Sequence, residues 1–234
     1  MNKLNERITN CRVGDIVVNG KCEAYSCKMT SQDKRFVKAL DKQYAEAGAG
    51  AGHVVSPLGP LADTSTRRLL ANLILTMNAS FPDYDFSSIK PEQFTHQPLS
   101  MVVSRINTNL QRLTEAGDKL LLKELWSALS ESVELKDCDV YSYVPEEDGP
   151  FSEESSLWTL NYFFYNKTLK RLVFFICSAR SKHLSTMMDA SQYGVDESSA
   201  AAMDDEEEEA SVDIFSDMLE YGDAGEGGLF ETGT

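Results

Sequence analysis

The chain has 234 residues, 42% of them hydrophobic, and a formal net charge of -15. That is apolar material for one sizeable core or two small ones. Fifteen of the 37 acidic residues lie beyond Lys182, where there is no Lys or Arg, so residues 1–182, with 22 side chains of each sign, are neutral and nothing in the balance favours a polynucleotide partner.

The first recognisable element is RVGDIVVNGKCEAYSCKM, residues 12–29. Asn-Gly favours turns in which both central residues take positive φ. The spacing predicts a hairpin about Asn19-Gly20, with strands at about 13–18 and 21–28. SQDKRFVKALDKQYAEA follows, with Phe36, Val37, Leu40 and Tyr44 at helical spacing behind Ser31 as the capping residue. AGAGAGHVVSPLGPLADTST then breaks all periodicity, and a mobile surface loop is expected from about Ala45 to Ala62. Asp63 or Thr64 opens the next helix, whose stripe Leu69, Leu70, Leu73, Ile74 and Met77 runs to Phe81 before Pro82 stops it. PDYDFSSIKPEQF reads as turns.

Two further helices are expected after Pro98, in LSMVVSRINTNLQRLTEA and DKLLLKELWSALSESVE. DCDVYSYV alternates as a strand does. The run from Ser156 to Cys177, SLWTLNYFFYNKTLKRLVFFIC, supplies two more strands around Asn166-Lys167-Thr168. Trp158, Leu160, Tyr162 and Phe164 share one face of the first strand, with Phe163 and Tyr165 on the other. Leu172, Phe174 and Ile176 oppose Val173 and Phe175 in the second. Both faces are apolar, so this hairpin belongs in the middle of a sheet with helices on both sides. Lys167, Lys170 and Arg171 gather at its tip. The expected fold is α+β: a central, mostly antiparallel five-stranded sheet in the order ββ-αααα-βββ, covered by helices. Residues 1–182 form one globular domain, and the acidic stretch 183–234 is a disordered tail.

Groups suited to catalysis are sparse. The three histidines, His53, His96 and His183, fall in the loop, beside a surface turn at Gln97-Pro98 and at the border of the tail. Cys22 and Cys27 point to opposite faces of one strand and chelate a metal poorly. GAGAG at 48–52 lacks both a preceding strand and a following Gly-Lys-Ser or Gly-Lys-Thr, so it is a linker and not a phosphate loop. Asp83 and Asp85 are turn carboxylates before they are metal ligands. The basic pairs Lys34-Arg35, Arg67-Arg68 and Lys170-Arg171 are dispersed along the chain. The five cysteines are odd in number and irregular in spacing, and no run is apolar enough for a signal segment or a membrane span. A reducing cytosolic or nuclear compartment is expected, with thiols packed as small apolar groups and no membrane contact. No enzyme activity, metal or cofactor is expected.

Four segments now read together: EAYSCKM (23–29), FPDYDFS (81–87), CDVYSYVPEEDGPF (138–151) and LWTLNYFFYNKTLKRLVFF (157–175). In this order they closely resemble the sequence boxes of the Maf-type global repressors of RNA polymerase III, over most of residues 20–178. The YNKxxKR core with its aromatic run carries the resemblance best, because no general rule of folding demands it. The resemblance implies a protein that binds RNA polymerase III near its clamp and hinders engagement with the initiation factor TFIIIB, lowering tRNA and 5S RNA synthesis under stress. It also implies control by regulatory kinases and phosphatases, shuttling between nucleus and cytoplasm, and an antiparallel sheet with helices. Lys28, Asp83, Asp85, Lys167, Lys170 and Arg171 fall within the boxes and are candidate partner-binding residues. The loop between the first two boxes is short and Ala/Gly-rich here, leaving Ser56, Thr64, Ser65 and Thr66 as candidate phosphorylation sites. An obvious basic import cluster is missing. A monomer without sequence-specific nucleic-acid binding is expected. The alternative reading is an acidic-tailed adaptor or chaperone for basic nuclear proteins.

Overall fold

The computed structural model describes residues 1–48, 55–145, 151 and 156–182. The chain divides into two units, Met1–Gly194 and Val195–Thr234, and every described residue lies in the first. The expected tail and part of the expected loop lie outside the described residues.

In chain order the elements are α1 (Asn2–Ile8), β1 (Cys11–Val13), β2 (Ile16–Ser26), α2 (Ser31–Gly48), β3 (Val55–Ser56), β4 (Gly59–Pro60), α3 (Thr64–Ser80), β5 (Phe94–Gln97), α4 (Leu99–Glu115), α5 (Leu121–Val133), β6 (Asp139–Tyr143), β7 (Ser156–Asn166) and β8 (Arg171–Ser181). The fold is α+β, as expected. Its main sheet is antiparallel with six strands in the order β1-β2-β8-β7-β6-β5, one more than the sequence suggests. Two strands, β1 and β5, go beyond the expectation, while the strands expected at about 13–18 and 21–28 are one, β2. In β5 Phe94 alone is buried while Thr95 and His96 face solvent. Four residues with one apolar position carry too little alternation to announce a strand. His96 therefore sits in an edge strand, and Gln97-Pro98 leads from that strand into α4 and does not form the expected surface turn. α1 was likewise not legible: a polar heptapeptide held down by Leu4 and Ile8, one turn apart.

β7 and β8 occupy the middle of the sheet, and the alternation read from the sequence holds on both faces. Leu160, Tyr162, Phe164, Val173 and Phe175 pack under α1, α4 and α5 with Val102, Ile106, Leu125 and Leu129. Phe163, Leu172 and Phe174 pack on the other side against α2 and α3 with Leu40, Leu70, Ile74 and Met77. Phe174 is 1% exposed. It stacks on Phe163 with ring centres 4.4 Å apart and meets the edges of Phe81 and Phe151. Where β6 stops pairing with β7, the Asn161 side chain takes over. Its Oδ1 accepts from the Tyr143 N–H at 2.7 Å, and its Nδ2 donates to the Tyr143 carbonyl at 2.9 Å.

The Asn19-Gly20 hairpin is not formed. β2 runs straight through both residues, which pair with Ser178 and Cys177 of β8, and the turn lies earlier, at Gly14-Asp15, with Gly14 at φ +53°. Tertiary packing decides this. A Cβ on Gly20 would lie 3.0 Å from Ile8 Cδ1 and 3.1 Å from Cys177 Sγ, so the glycine lets α1 close onto the strand. The cap of α2 is also displaced by one residue. Thr30 Oγ1 accepts from the Asp33 N–H, and the Asp33 carboxylate accepts from the Thr30 N–H, a reciprocal arrangement that stabilises the first turn.

The end of the expected loop is packed. β3 and β4 form a small hairpin that buries Leu58 and, beyond it, Leu61. α1 is joined by charge to the α4–α5 connection and to α5: the Arg7 guanidinium binds Asp118, with Nε to Oδ2 at 2.8 Å, and reaches Glu124. Cys22 lies in one core while Cys27 packs against the other, so the two thiols do face opposite sides. Burial pushes the Cys22 and Cys177 thiols up to about 12, which keeps them protonated and unreactive. None of the described helices is long and apolar enough to cross a membrane.

Two stability measurements check this architecture. Phe174→Ala should cost about 3–5 kcal/mol in denaturant unfolding; an unchanged midpoint would mean that the hairpin is not buried on both faces. Gly20→Val should cost about 1–3 kcal/mol by overpacking, and Ile8→Ala should recover part of that loss in a double-mutant cycle. Additive effects would exclude the close contact of α1 with β2.

Candidate functional site

The turn between β7 and β8 is anchored from below. Asn166, 1% exposed, donates through Nδ2 to the Val133 carbonyl at 2.9 Å and accepts at Oδ1 from the Leu169 N–H at 2.9 Å. Lys170 closes the turn at φ +52°. Its carbonyl accepts from the Cys27 N–H at 2.9 Å, which ties the segment leaving β2 to the hairpin tip. Lys28 is thereby brought beside Lys167 and Lys170. The first turns of α2 and α3 add Lys34 and Arg68, and together these residues line a cleft of about 610 Å3. Met29, Leu58, Leu69, Tyr141 and Tyr165 give it an apolar and aromatic floor, and among the described residues Asp139 is its one acidic lining residue.

Charge is what distinguishes this cleft. Lys28, Lys34, Arg68, Lys167 and Lys170 are all exposed, and none forms an ion pair with a described carboxylate. Neighbouring cations are used differently. Arg67 donates through Nε to Asp41 at 2.6 Å and through Nη1 to the Leu61 and Ala62 carbonyls at 2.8 and 2.7 Å, pinning the start of α3. Burial raises the phenol of Tyr141 to about 12. Burial also raises that of Tyr165. Both rings therefore stay neutral and present hydrogen-bonding hydroxyls over apolar bodies.

Three of the six candidate partner-binding residues, Lys28, Lys167 and Lys170, meet in this cleft, and three do not. Arg171 is exposed and donates through Nη1 to the Ser132 carbonyl at 3.2 Å. Asp83 and Asp85 follow the opposite end of α3, whose 17 residues span about 25 Å. Asp85 Oδ1 accepts from the Ser87 N–H at 2.9 Å, and hydrogen bonding from Ser87 holds this carboxyl below its usual range. Among the described residues no cluster of three or more His, Cys, Asp or Glu is placed to hold a metal ion. His96 lies 3.8 Å from Asp139 at the exposed sheet edge.

The four candidate phosphorylation sites differ in access. Thr64 and Ser65 are exposed on the rim of the cleft. Thr66 and Ser56 are buried. The Ser56 hydroxyl donates to the Gly59 carbonyl at 2.8 Å and accepts from the Leu58 N–H at 3.3 Å. Lys34 and Arg68 are the site residues that sequence reasoning passed over. Three basic pairs dispersed along the chain each contribute one member, Lys34, Arg68 and Lys170, to a single cleft. Only the pairing of β2 with β8 and the packing of α2 on α3 bring them together.

The comparisons agree with the resemblance read from the boxes. The family described as the Maf1 regulator matches residues 18–176. A protein of Dictyostelium discoideum named repressor of RNA polymerase III transcription is 34% identical over 227 residues, covering 76% of this chain and 82% of its own length. A Schizosaccharomyces pombe protein with the corresponding name is 33% identical, covering 79% of this chain and 81% of its own. Crystal structures of citrus MAF1 superpose with TM-scores of 0.62 and 0.64 at 34% and 31% identity, covering 77% of this chain and 97% and 96% of theirs. The chain belongs to the Maf1 family of regulators.

Proposed function

We propose that this chain is a negative regulator of RNA polymerase III transcription that acts by binding the polymerase and hindering its engagement with TFIIIB. The observation that carries the reading is 34% identity to the Dictyostelium repressor across 82% of that protein. The cleft supplies a physical means of attachment. Five cations with no acidic partner among the described residues make a local positive potential on a body whose charges balance overall, and such a patch favours an oppositely charged surface. A steric repressor needs no reacting groups, only a surface that holds it in the way.

The same geometry supports control by kinases and phosphatases. A phosphate on Thr64 or Ser65 would bring about 1.5–2 negative charges to the cleft rim and oppose the attraction. Ser56 is reached only if the β3–β4 hairpin opens. We place the protein in nucleus and cytoplasm, shuttling with its phosphorylation state, as a monomer.

Purified protein added before promoter engagement should suppress transcription of a tRNA gene in vitro. Lys28→Ala/Lys167→Ala/Lys170→Ala alters exposed side chains and should keep the parent melting temperature. It should repress several-fold less well, and added salt should weaken the parent in the same direction. Full repression by the folded triple variant would remove the cleft from the mechanism. Absence of repression by the parent would remove the function.

A further inference from the structure

The cleft has a second property besides charge. Its walls carry Lys28, Lys34, Arg68, Lys167 and Lys170, while its floor is Met29, Leu58, Leu69, Tyr141 and Tyr165. An ion held by surface lysines needs no such floor, and an apolar ligand needs no such rim. Lined this way, the cleft complements a ligand that combines carboxylates with apolar or aromatic side chains. Its volume of about 610 Å3 is of the order that seats a short segment, within the span of about 300–1,000 Å3 common to binding pockets. Strand-tracking polynucleotide sites instead extend over about 4–16 nucleotides, whereas these five cations converge on one place.

We propose that the cleft formed by the β7–β8 turn, the segment after β2 and the first turns of α2 and α3 binds an acidic peptide segment bearing apolar or aromatic side chains, contributed by a protein partner. The carboxylates meet the lysines and Arg68 at the rim. The apolar side chains cover Met29 and Leu69 and lie against the two tyrosine rings. The single acidic group among the described lining residues, Asp139, stands next to exposed His96 and sets an end to the positive run. The inference rests on the proposed function only for which protein carries the segment; the chemistry of the cleft stands by itself.

The test uses the full chain and defined probes. Fluorescence anisotropy would follow a short labelled peptide alternating Glu with Phe and Leu, a peptide of Glu alone with the same charge, and a single-stranded DNA of the same charge. The mixed peptide should bind best, with the all-Glu peptide about tenfold weaker because it leaves the apolar floor uncovered. Lys28→Ala/Lys34→Ala/Arg68→Ala should weaken the mixed peptide about tenfold or more, with the parent melting temperature retained. Equal binding of the two peptides, no binding of the mixed peptide, or tighter binding of the DNA would each overturn the inference. If the mixed peptide fails while the lysine variants still lose repression, the peptide chemistry is wrong and the repressor reading survives. If it binds in the cleft while those variants repress fully, the chemistry stands and the repressor's use of the cleft falls.

Discussion

Two-sided burial of the β7–β8 hairpin is the constraint on which the structure depends. Phe163 and Phe174 stack in one core, while Phe164 and Phe175 fill the other. Each strand thus contributes alternate side chains to opposite faces, and the helices are divided accordingly. A hairpin buried this way cannot slip by one residue without exchanging every side chain between cores. Its register with β2 is fixed over the whole strand, and so is the position of its tip. The segment after β2 is tied to that tip by the Cys27–Lys170 hydrogen bond. The cleft is therefore a consequence of core packing, though none of its cations belongs to the core.

Charge is sorted by use. Arg7 and Arg67 are committed to carboxylates and carbonyls that join elements distant in sequence. The five cleft cations have no such commitment among the described residues. Exposed ion pairs contribute little to stability, so leaving these five unpaired costs the fold almost nothing. It keeps their potential available to a partner. The chain's formal charge of -15 gives no hint of this, because net charge describes long-range behaviour and not the composition of one cleft.

What was legible in the sequence was whatever had a strong period or a specific box. Alternation placed Leu160 to Phe175 on the correct faces because both faces are apolar. The stripes from Leu69 to Met77 and from Leu121 to Leu129 gave their helices. Asn19-Gly20 misled because its turn preference is a local signal of about a kilocalorie at most, outweighed by eleven paired positions between β2 and β8 and by Ile8 above Gly20. The cleft was half visible. Lys28, Lys167 and Lys170 stand inside recognisable boxes, but Lys34 and Arg68 look like ordinary solvated helix residues until α2 and α3 are docked. Ser56 followed by Pro57 looked accessible, and burial of its hydroxyl depends on the Leu58 and Leu61 contacts that close the β3–β4 hairpin.

The central claim is that the cleft of unpaired cations is the surface by which this regulator meets its partner. Hydrogen–deuterium exchange on the full chain, alone and saturated with purified RNA polymerase III, tests it most directly. The account predicts slowed exchange in residues 27–34, 64–69 and 167–170, with the rest of the described residues little changed. Protection confined to residues 81–87 or to the α4–α5 side, with the cleft exchanging as in the free protein, would contradict it.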